Sequence, residues 1–410
     1  MKIFSPRIST RLGAALAAAG LLAIAGCTSS GSSSSSTASS SPASPGSASA
    51  PAAASAGSPS SASAAVPAGT LSVKQLAYAT TLKHSFQPNG KGAVKTESLS
   101  QPDDIVTVGG NLYVGFQDGV GSQGEPSTSN NLDSTLVEFT KTGSVVKQWD
   151  LKGKIDGLGA DPANNRVFVT VNEDANSSLY TVAGGTVTHY AYTPALPHKG
   201  GTDAVSVYNG KILISASAPG TSGKAPAAPP AVYAVTLNAG SKTAVVKSLF
   251  SDTAAATVVG TGTAGKKVTL ALSDGDSNSV VPATSPAFGG DFMLDSQGDL
   301  ELIFSGPAGA NLKVLKISNS VDDSAWATSA TGTLYITDSG ANTIDAVTGT
   351  FTSGTMYTSV TPCNANSAPA NCPSGKYTAN YLGTINLKTG AISPVTVVGP
   401  PTPKGMIFVP

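Results

Sequence analysis

A short hairpin recurs along most of the chain, and this repeat limits the folds that the sequence can adopt. Each copy is a β-branched or aromatic run that ends in a polar tip with glycine, as in Leu136-Val-Glu-Phe-Thr-Lys-Thr-Gly143. The tips fall at residues 143, 185, 240, 298, 354 and 390, and they are separated by 42, 55, 58, 56 and 36 residues. No run has apolar residues at i, i+3, i+4 and i+7, so the pattern predicts strands joined by turns.

A second hairpin, which opens with an acid, lies between these tips. Its copies begin at Asp104, Asp156, Asp203 and Asp323. Two hairpins in each repeat give four strands, and a period of about 40–55 residues is typical of the blades of a β-propeller. Six glycine tips predict an all-β, six-bladed propeller, and seven blades is the alternative that the pattern leaves open.

The two ends of the repeated region are predicted to close the propeller. The sixth blade has no first hairpin of its own, and Met406-Ile-Phe-Val near the C-terminus and a strand near Leu76–Leu82 supply the missing strands. The propeller domain is therefore expected over residues 71–410. In pattern, the repeats resemble those of NHL-type and YVTN-type propellers.

The N-terminus carries an export signal. Lys2, Arg7 and Arg11 form a basic segment, and the apolar run that follows is shorter than the roughly 20 residues of a membrane span. Residues 1–26 are thus predicted to be a signal peptide. The run ends in Leu22-Ala-Ile-Ala-Gly-Cys27, which resembles the bacterial lipobox. This resemblance implies that Cys27 is acylated and that two or more lipid chains anchor the protein.

A low-complexity tether follows the lipidated cysteine. Residues 27–70 consist almost entirely of Ser, Ala, Pro and Gly and contain no charged residue. Such a segment buries too little apolar surface to fold, so it is predicted to be a disordered linker. Signal peptide, tether and propeller together resemble surface lipoproteins of actinobacteria, which implies an exported protein on the outer face of the cell membrane.

The two other cysteines fit the same compartment. Cys363 and Cys372 flank a turn-rich segment, and an oxidising location favours a disulfide between them. A metal-binding or redox pair is the alternative.

Charge excludes some partners. The chain has 24 basic and 24 acidic residues, so no basic footprint for nucleic acid is present. Its only arginines are Arg7, Arg11 and Arg166, which excludes a cluster of arginines for phosphate or carboxylate recognition.

The acids that open the second hairpins are the strongest candidates for a functional site. Because the innermost strands of a propeller converge, Asp104, Asp156, Asp203 and Asp323 are expected near one mouth of the central channel. There they would bind a divalent cation such as Ca²⁺. The interpretation favoured over this cation site is that each carboxylate caps its own turn or pins an adjacent blade through backbone N–H groups.

A second candidate for calcium lies in one segment. Asp274, Asp276 and Asn278 alternate as in the start of a calcium loop, but serine stands where that loop needs its glycine and its final glutamate. A solvated loop is the favoured interpretation of this segment.

Two functions follow from these features. The favoured hypothesis is a membrane-anchored lipoprotein whose propeller is a non-enzymatic binding or scaffold module for an envelope protein or a small ligand. The alternative is a calcium-dependent hydrolase or lactonase that works from the central channel.

A glycine-rich segment, Gly260-Thr-Gly-Thr-Ala-Gly-Lys266, matches a phosphate-binding pattern, but the strand-like residues that follow predict a hairpin turn instead.

Overall fold

The computed structural model describes residues 70–197, 200–217, 228–362 and 379–410. Within these ranges regular structure is β-strand, interrupted only by short 3₁₀ turns, so the all-β prediction is confirmed. Three predictions concern residues outside these ranges: the signal peptide, the acylated Cys27 with its tether up to residue 69, and the Cys363–Cys372 disulfide. No helix in the described ranges is long and apolar enough to cross a membrane.

The first half of the chain contributes fifteen strands. They are β1 (Leu71–Tyr78), β2 (Lys83–Phe86), β3 (Lys95–Ser98), β4 (Pro102–Val108), β5 (Asn111–Phe116), β6 (Asp133–Phe139), β7 (Val145–Lys152), β8 (Ile155–Asp161), β9 (Arg166–Val171), β10 (Ser178–Ala183), β11 (Thr186–Thr193), β12 (Val205–Tyr208), β13 (Lys211–Ser215), β14 (Pro230–Asn238) and β15 (Thr243–Ser251).

The second half contributes the remaining strands. They are β16 (Ala255–Val259), β17 (Lys267–Thr269), β18 (Gly275–Val280), β19 (Phe292–Ser296), β20 (Glu301–Ser305), β21 (Lys313–Lys316), β22 (Val321–Trp326), β23 (Thr333–Asp338), β24 (Thr343–Thr348), β25 (Met356–Val360), β26 (Tyr381–Ile385), β27 (Ile392–Pro394), β28 (Val397–Val398) and β29 (Pro403–Val409).

These strands form blades around a ring. Listed from the innermost strand outward, blade 1 is β4-β5-β6-β7, blade 2 is β8-β9-β10-β11, blade 3 is β12-β13-β14-β15, blade 4 is β18-β19-β20-β21-β16-β17, blade 5 is β22-β25-β26-β27, and blade 6 is β29-β23-β24-β1-β28. Blades 2 and 3 join at their outer edges, where β11 pairs parallel to β15. The hairpin of β2 and β3 lies outside these sheets.

The hydrophobic core lies between the blades. Each of its clusters combines side chains from two neighbouring blades, and together they link blade 1 to 2, 2 to 3, 3 to 4, 4 to 5, 5 to 6, and 6 back to 1. In blade 1, for example, β5 buries Leu112 and Val114 against blade 6 while β6 buries Leu136 against blade 2. The closed circle of clusters is the packing expected of a β-propeller, and the propeller prediction is confirmed.

Both ends of the described chain meet in blade 6. β29 is its innermost strand and pairs with β23, while β1 pairs with the outer side of β24. Closure by both ends is therefore present, but these strands complete the blade of the β23–β24 hairpin rather than the blade of the Gly390 tip, which is blade 5. The N-terminal closing strand covers Leu71–Tyr78 rather than the expected Leu76–Leu82.

Blades 5 and 6 are threaded differently from the prediction. The chain makes the innermost strand of blade 5, crosses to build the β23–β24 hairpin of blade 6, and then returns to β25 of blade 5. The sequence from Asp323 to Ile336 is thus not a hairpin, and Gly354 lies on the return crossover rather than at a hairpin tip. Local strand and turn signals cannot distinguish a turn from a crossing, because both need the same residues.

Candidate functional site

The innermost strands share an irregularity at one level of the channel. β4, β8, β12, β18, β22 and β29 contact one another in a closed ring. In each, two consecutive residues oppose a single residue of the next strand. The pairs are residues 103–104, 156–157, 203–204, 276–277, 322–323 and 404–405. An extra residue of this kind is a β-bulge, which bends a strand and re-aims its side chains.

The first residue of every bulged pair lines the central channel. These residues, called the channel ring below, are Asp103, Asp156, Asp203, Asp276, Asp322 and Lys404. The channel has a volume of about 370 Å³, and further along the strands its wall is largely apolar, with Val207, Val280 and Trp326. The five carboxylates and one ammonium of the channel ring therefore face a single space, which Asp104, Asp323 and Glu173 also line.

The structure divides the four acids predicted from the hairpin starts into two kinds. Asp156 and Asp203 belong to the channel ring, whereas Asp104 and Asp323 are the second residues of their pairs and bond to backbone. The Asp104 carboxylate accepts from N–H of Ile105 and of Leu158 in blade 2, both at 2.6 Å. This is the pinning of an adjacent blade that was the favoured interpretation of these acids.

Asp323 repeats this arrangement between blades 5 and 6. Its carboxylate accepts from N–H of Ser324 at 2.6 Å and of Met406 at 2.7 Å. Burial, opposed by these two hydrogen bonds, raises the pKa of Asp323 to about 7. Asp104 and Asp323 thus join neighbouring innermost strands, and each of their carboxylate oxygens accepts one backbone hydrogen bond.

Two lysines neutralise part of the channel ring. Lys404 Nζ lies 2.8 Å from Asp103 Oδ1 and 3.3 Å from Asp322 Oδ1. Lys154 Nζ lies 2.9 Å from Asp156 Oδ1 and also contacts Glu173. Although burial lowers the pKa of Lys404, the surrounding carboxylates outweigh it and hold that pKa well above its ordinary value. Both lysines therefore stay charged.

Asp203 and Asp276, which are neighbours in the ring, have no contact with a lysine of the described ranges. Asp203 is only 8% exposed, and burial together with the nearby Asp156 raises its pKa well above the ordinary value. Asp276 receives a neutral hydrogen bond from Gln297 Nε2 at 3.2 Å, and burial together with Asp203 raises its pKa in the same way. Negative charge is thus least compensated on the side of blades 3 and 4.

The candidate calcium segment is part of this wall. Asp276 and Asn278 lie on the innermost strand β18 and Asp274 immediately precedes it, so the expectation of a solvated loop is wrong. Asn278 Nδ2 donates to the backbone oxygen of Ala204 at 2.7 Å. Among the described residues, no group of three or more His, Cys, Asp or Glu side chains is spaced to hold a metal ion. The calcium predictions therefore have no preformed ligand cluster in these ranges.

Hydroxyl groups opposite the bulges hydrogen-bond neighbouring blades to each other. Thr170, Thr337 and Ser359 each lie opposite a bulge and donate to a backbone oxygen of the next blade. In blade 4 the same register holds Asp295, which is fully buried and has neither carboxylate oxygen hydrogen-bonded. Burial raises the pKa of Asp295 well above its ordinary value, which favours the neutral acid at this position.

The histidines described by the structure lie away from the channel. His84 is buried on β2, 3.3 Å from Glu97 and 3.5 Å from Asp150. His189 is exposed on β11 and stacks on Tyr180 with the ring centroids 4.3 Å apart. The third, His198, lies outside the described residues. The glycine-rich Gly260–Lys266 segment joins the paired strands β16 and β17, as predicted for a hairpin turn.

Sequence reasoning missed half of the channel ring. It overlooked Asp103, Asp322 and Lys404, and it also overlooked Lys154, which pairs with the ring. The available signal was the double acid: Asp103-Asp104 and Asp322-Asp323 stand at equivalent positions, and Lys404 stands there in the C-terminal strand.

Comparisons with known proteins give similarity to solved propeller structures only. No family model matches the chain, and no curated protein does. The Swd1 β-propeller domain of Myceliophteria thermophila is 12% identical over 75% of this chain and 86% of its own, with a TM-score of 0.34. A nidogen/laminin complex structure is 9% identical over 83% and 97%, with a TM-score of 0.42. An inactive virginiamycin B lyase from Staphylococcus aureus is 9% identical over 78% and 96%, with a TM-score of 0.36. Similarities this low carry no argument about function.

Proposed function

We propose that this chain is an exported, membrane-anchored lipoprotein whose propeller binds a ligand in its central channel without converting it chemically. The observation that carries the proposal is the channel ring, an acidic belt whose charge is compensated on one side only. Polar groups taken out of water are costly unless they are paired. A channel that keeps uncompensated carboxylates next to an apolar wall is suited to a ligand that supplies the missing partners.

The arrangement of the other acids supports binding rather than catalysis. Asp104 and Asp323 accept hydrogen bonds from backbone N–H groups, and Asp156 forms an ion pair with Lys154. A calcium-dependent hydrolase needs both a metal and a general acid or base in the channel. Hydrolysis of an ester or lactone that requires Ca²⁺ and is lost on chelation would overturn the proposal.

The test of channel binding is a ligand screen with a blocked channel. Val280 is 37% exposed and lines the channel, so Val280→Trp fills the space with little effect on the core. Val146, 51% exposed on β7 and outside the channel lining, gives the matched control Val146→Trp. Purified full chain is screened by thermal unfolding against cationic, neutral and anionic small molecules.

The expected result is stabilisation by at least one class of compound in the wild type and in Val146→Trp, and its loss in Val280→Trp. A ligand at 100 times its Kd stabilises by about 2.7 kcal/mol, which is well within detection. Equal stabilisation of both variants would place binding outside the channel and contradict the proposal.

The location rests on the N-terminal sequence. Acylation of Cys27 would hold the propeller at the outer face of the membrane, with residues 28–70 as a spacer. The same compartment would allow Cys363 and Cys372 to form their disulfide. An envelope protein is the alternative partner for the propeller, and its capture by both the wild type and Val280→Trp would favour a surface outside the channel.

A further inference from the structure

One arc of the channel leaves buried acceptors without partners. The residue Asp203 is 8% exposed and, among the described residues, neither a hydrogen bond nor an ion pair reaches its carboxylate. On the adjacent strand the hydroxyl of Ser277 and Oδ1 of Asn278 are buried and have no hydrogen-bond partner in the described ranges. All three residues line the channel, as does Asp276 beside them. Buried polar atoms in proteins are nearly always paired, so this arc has room for donors from a ligand.

The opposite side of the ring shows how such acceptors are satisfied. Lys404, on blade 6, places an ammonium group between the ring carboxylates of the blades on either side, 2.8 Å from Asp103 and 3.3 Å from Asp322. Blade 3 stands across the ring from blade 6 and carries Asp203. There the ring has carboxylates on adjacent blades, and no lysine of the described ranges contacts either of them.

We propose that the channel binds a primary ammonium compound with its charged head between Asp203 and Asp276 and its apolar body along the channel wall. An ammonium group has three N–H donors, and carboxylates are strong acceptors for them, so two of the donors match Asp203 and Asp276. This inference rests on the proposed function of the channel and names the class of its ligand.

An organic ammonium fits this arc better than a metal ion does. Calcium takes six to eight oxygen ligands at about 2.3–2.6 Å, which requires carboxylates to converge on one point. No such group exists in the described part of the chain. An ammonium accepts the wider geometry that Lys404 displays. Beyond the acids, the wall offers Val205, Val207 and Val280 to an apolar substituent.

The test uses 2-phenylethylamine as the probe and 2-phenylethanol as its uncharged match. Each is titrated calorimetrically into the full chain, and Ca²⁺ is titrated separately. The variants are Asp203→Asn and Asp276→Asn, with Asp174→Asn, an exposed acid outside the channel lining, as the matched control. Each variant is first shown to keep a cooperative thermal transition.

The expected result is that the amine binds at least tenfold more tightly than the alcohol. That preference should fall at least tenfold in Asp203→Asn and in Asp276→Asn and persist in Asp174→Asn. Equal affinity for amine and alcohol, an unchanged preference in the channel variants, or Ca²⁺ that displaces the amine would overturn the inference.

Failure of this inference is distinguishable from failure of the proposed function. If a neutral or anionic compound stabilises the wild type but not Val280→Trp, and the amine does not bind, the ligand class is wrong while channel binding holds. If no compound of any class binds in the channel, both are wrong.

Discussion

Replacing Asp323 separates a structural acid from a ligand-binding acid. In the folded protein its two oxygens accept backbone N–H groups of Ser324 and Met406 at 2.6 and 2.7 Å, the second of them on the next blade. A hydrogen bond to a charged acceptor contributes about 1.5–3 kcal/mol, so Asp323→Ala is expected to lose about 3–6 kcal/mol. Because burial raises the pKa of this carboxyl to about 7, part of the population is neutral at pH 7. The loss should therefore lie near the lower end, about 3 kcal/mol.

Asp323→Asn should show an intermediate effect. The amide keeps one acceptor oxygen but turns an N–H₂ group toward a backbone N–H, so one of the two hydrogen bonds is lost and about 1.5–3 kcal/mol with it. The measurement is the free energy of unfolding of the full chain in urea at pH 7, with matched conditions for each variant.

The matched comparison is Asp203→Asn in the channel ring. This buried carboxylate has no partner to lose, and neutralising it removes repulsion from Asp156, so its stability should equal or exceed that of the wild type. The reasoning is refuted if Asp323→Ala unfolds within about 0.5 kcal/mol of the wild type, the range of ordinary surface substitutions. It is equally refuted if Asp203→Asn destabilises as much as Asp323→Asn.

Three further predictions concern pH, packing and anchoring. Burial raises the folded-state pKa of Asp118 from 3.8 to about 7, so the folded protein keeps a proton that the unfolded chain releases. The stability that this group contributes is complete below about pH 4 and is lost as the pH rises through 7. The thermal midpoint should therefore fall between pH 5 and pH 8, and a rise would contradict this prediction. A Cβ at Gly405 would lie 2.3 Å from the backbone oxygen of Asp103. Gly405→Ala should therefore lower the free energy of unfolding in urea by about 1–3 kcal/mol. An unchanged free energy of unfolding would show that the two blades can move apart. Cys27→Ala should shift the protein out of the lipid-labelled membrane fraction, whereas unchanged lipid labelling would exclude this cysteine as the anchor.

The repeat spacing was sufficient to predict the propeller, because hairpins of two kinds at a regular period leave few other ways to bury their apolar faces. It was not sufficient to place the acids. Strand side chains alternate with a period of two, and the extra residue of each bulge breaks that alternation, so two consecutive residues can line the channel. Asp103 and Asp322 were overlooked for that reason, because they line the channel beside the predicted Asp104 and Asp323.

The order in which the chain passes between blades 5 and 6 could not be predicted from the repeat spacing either. A turn such as that after Trp326 leads to a strand in either case, and which sheet that strand joins depends on contacts far away in the chain. Lys404 was overlooked because the innermost strand near the C-terminus has a lysine at the ring position, where the other innermost strands have an acid that marks the repeat.

The most direct test of the channel account is the number of protons released when 2-phenylethylamine binds at pH 7, measured by calorimetry in two buffers of different ionisation enthalpy. Burial and neighbouring acids raise the pKa of Asp203 and of Asp276 well above the ordinary value, and an ammonium between them lowers that pKa again because it favours the charged carboxylates. The account predicts a net release of protons on binding, which disappears when both residues are changed to asparagine. Binding without proton release, or with proton uptake, would contradict it.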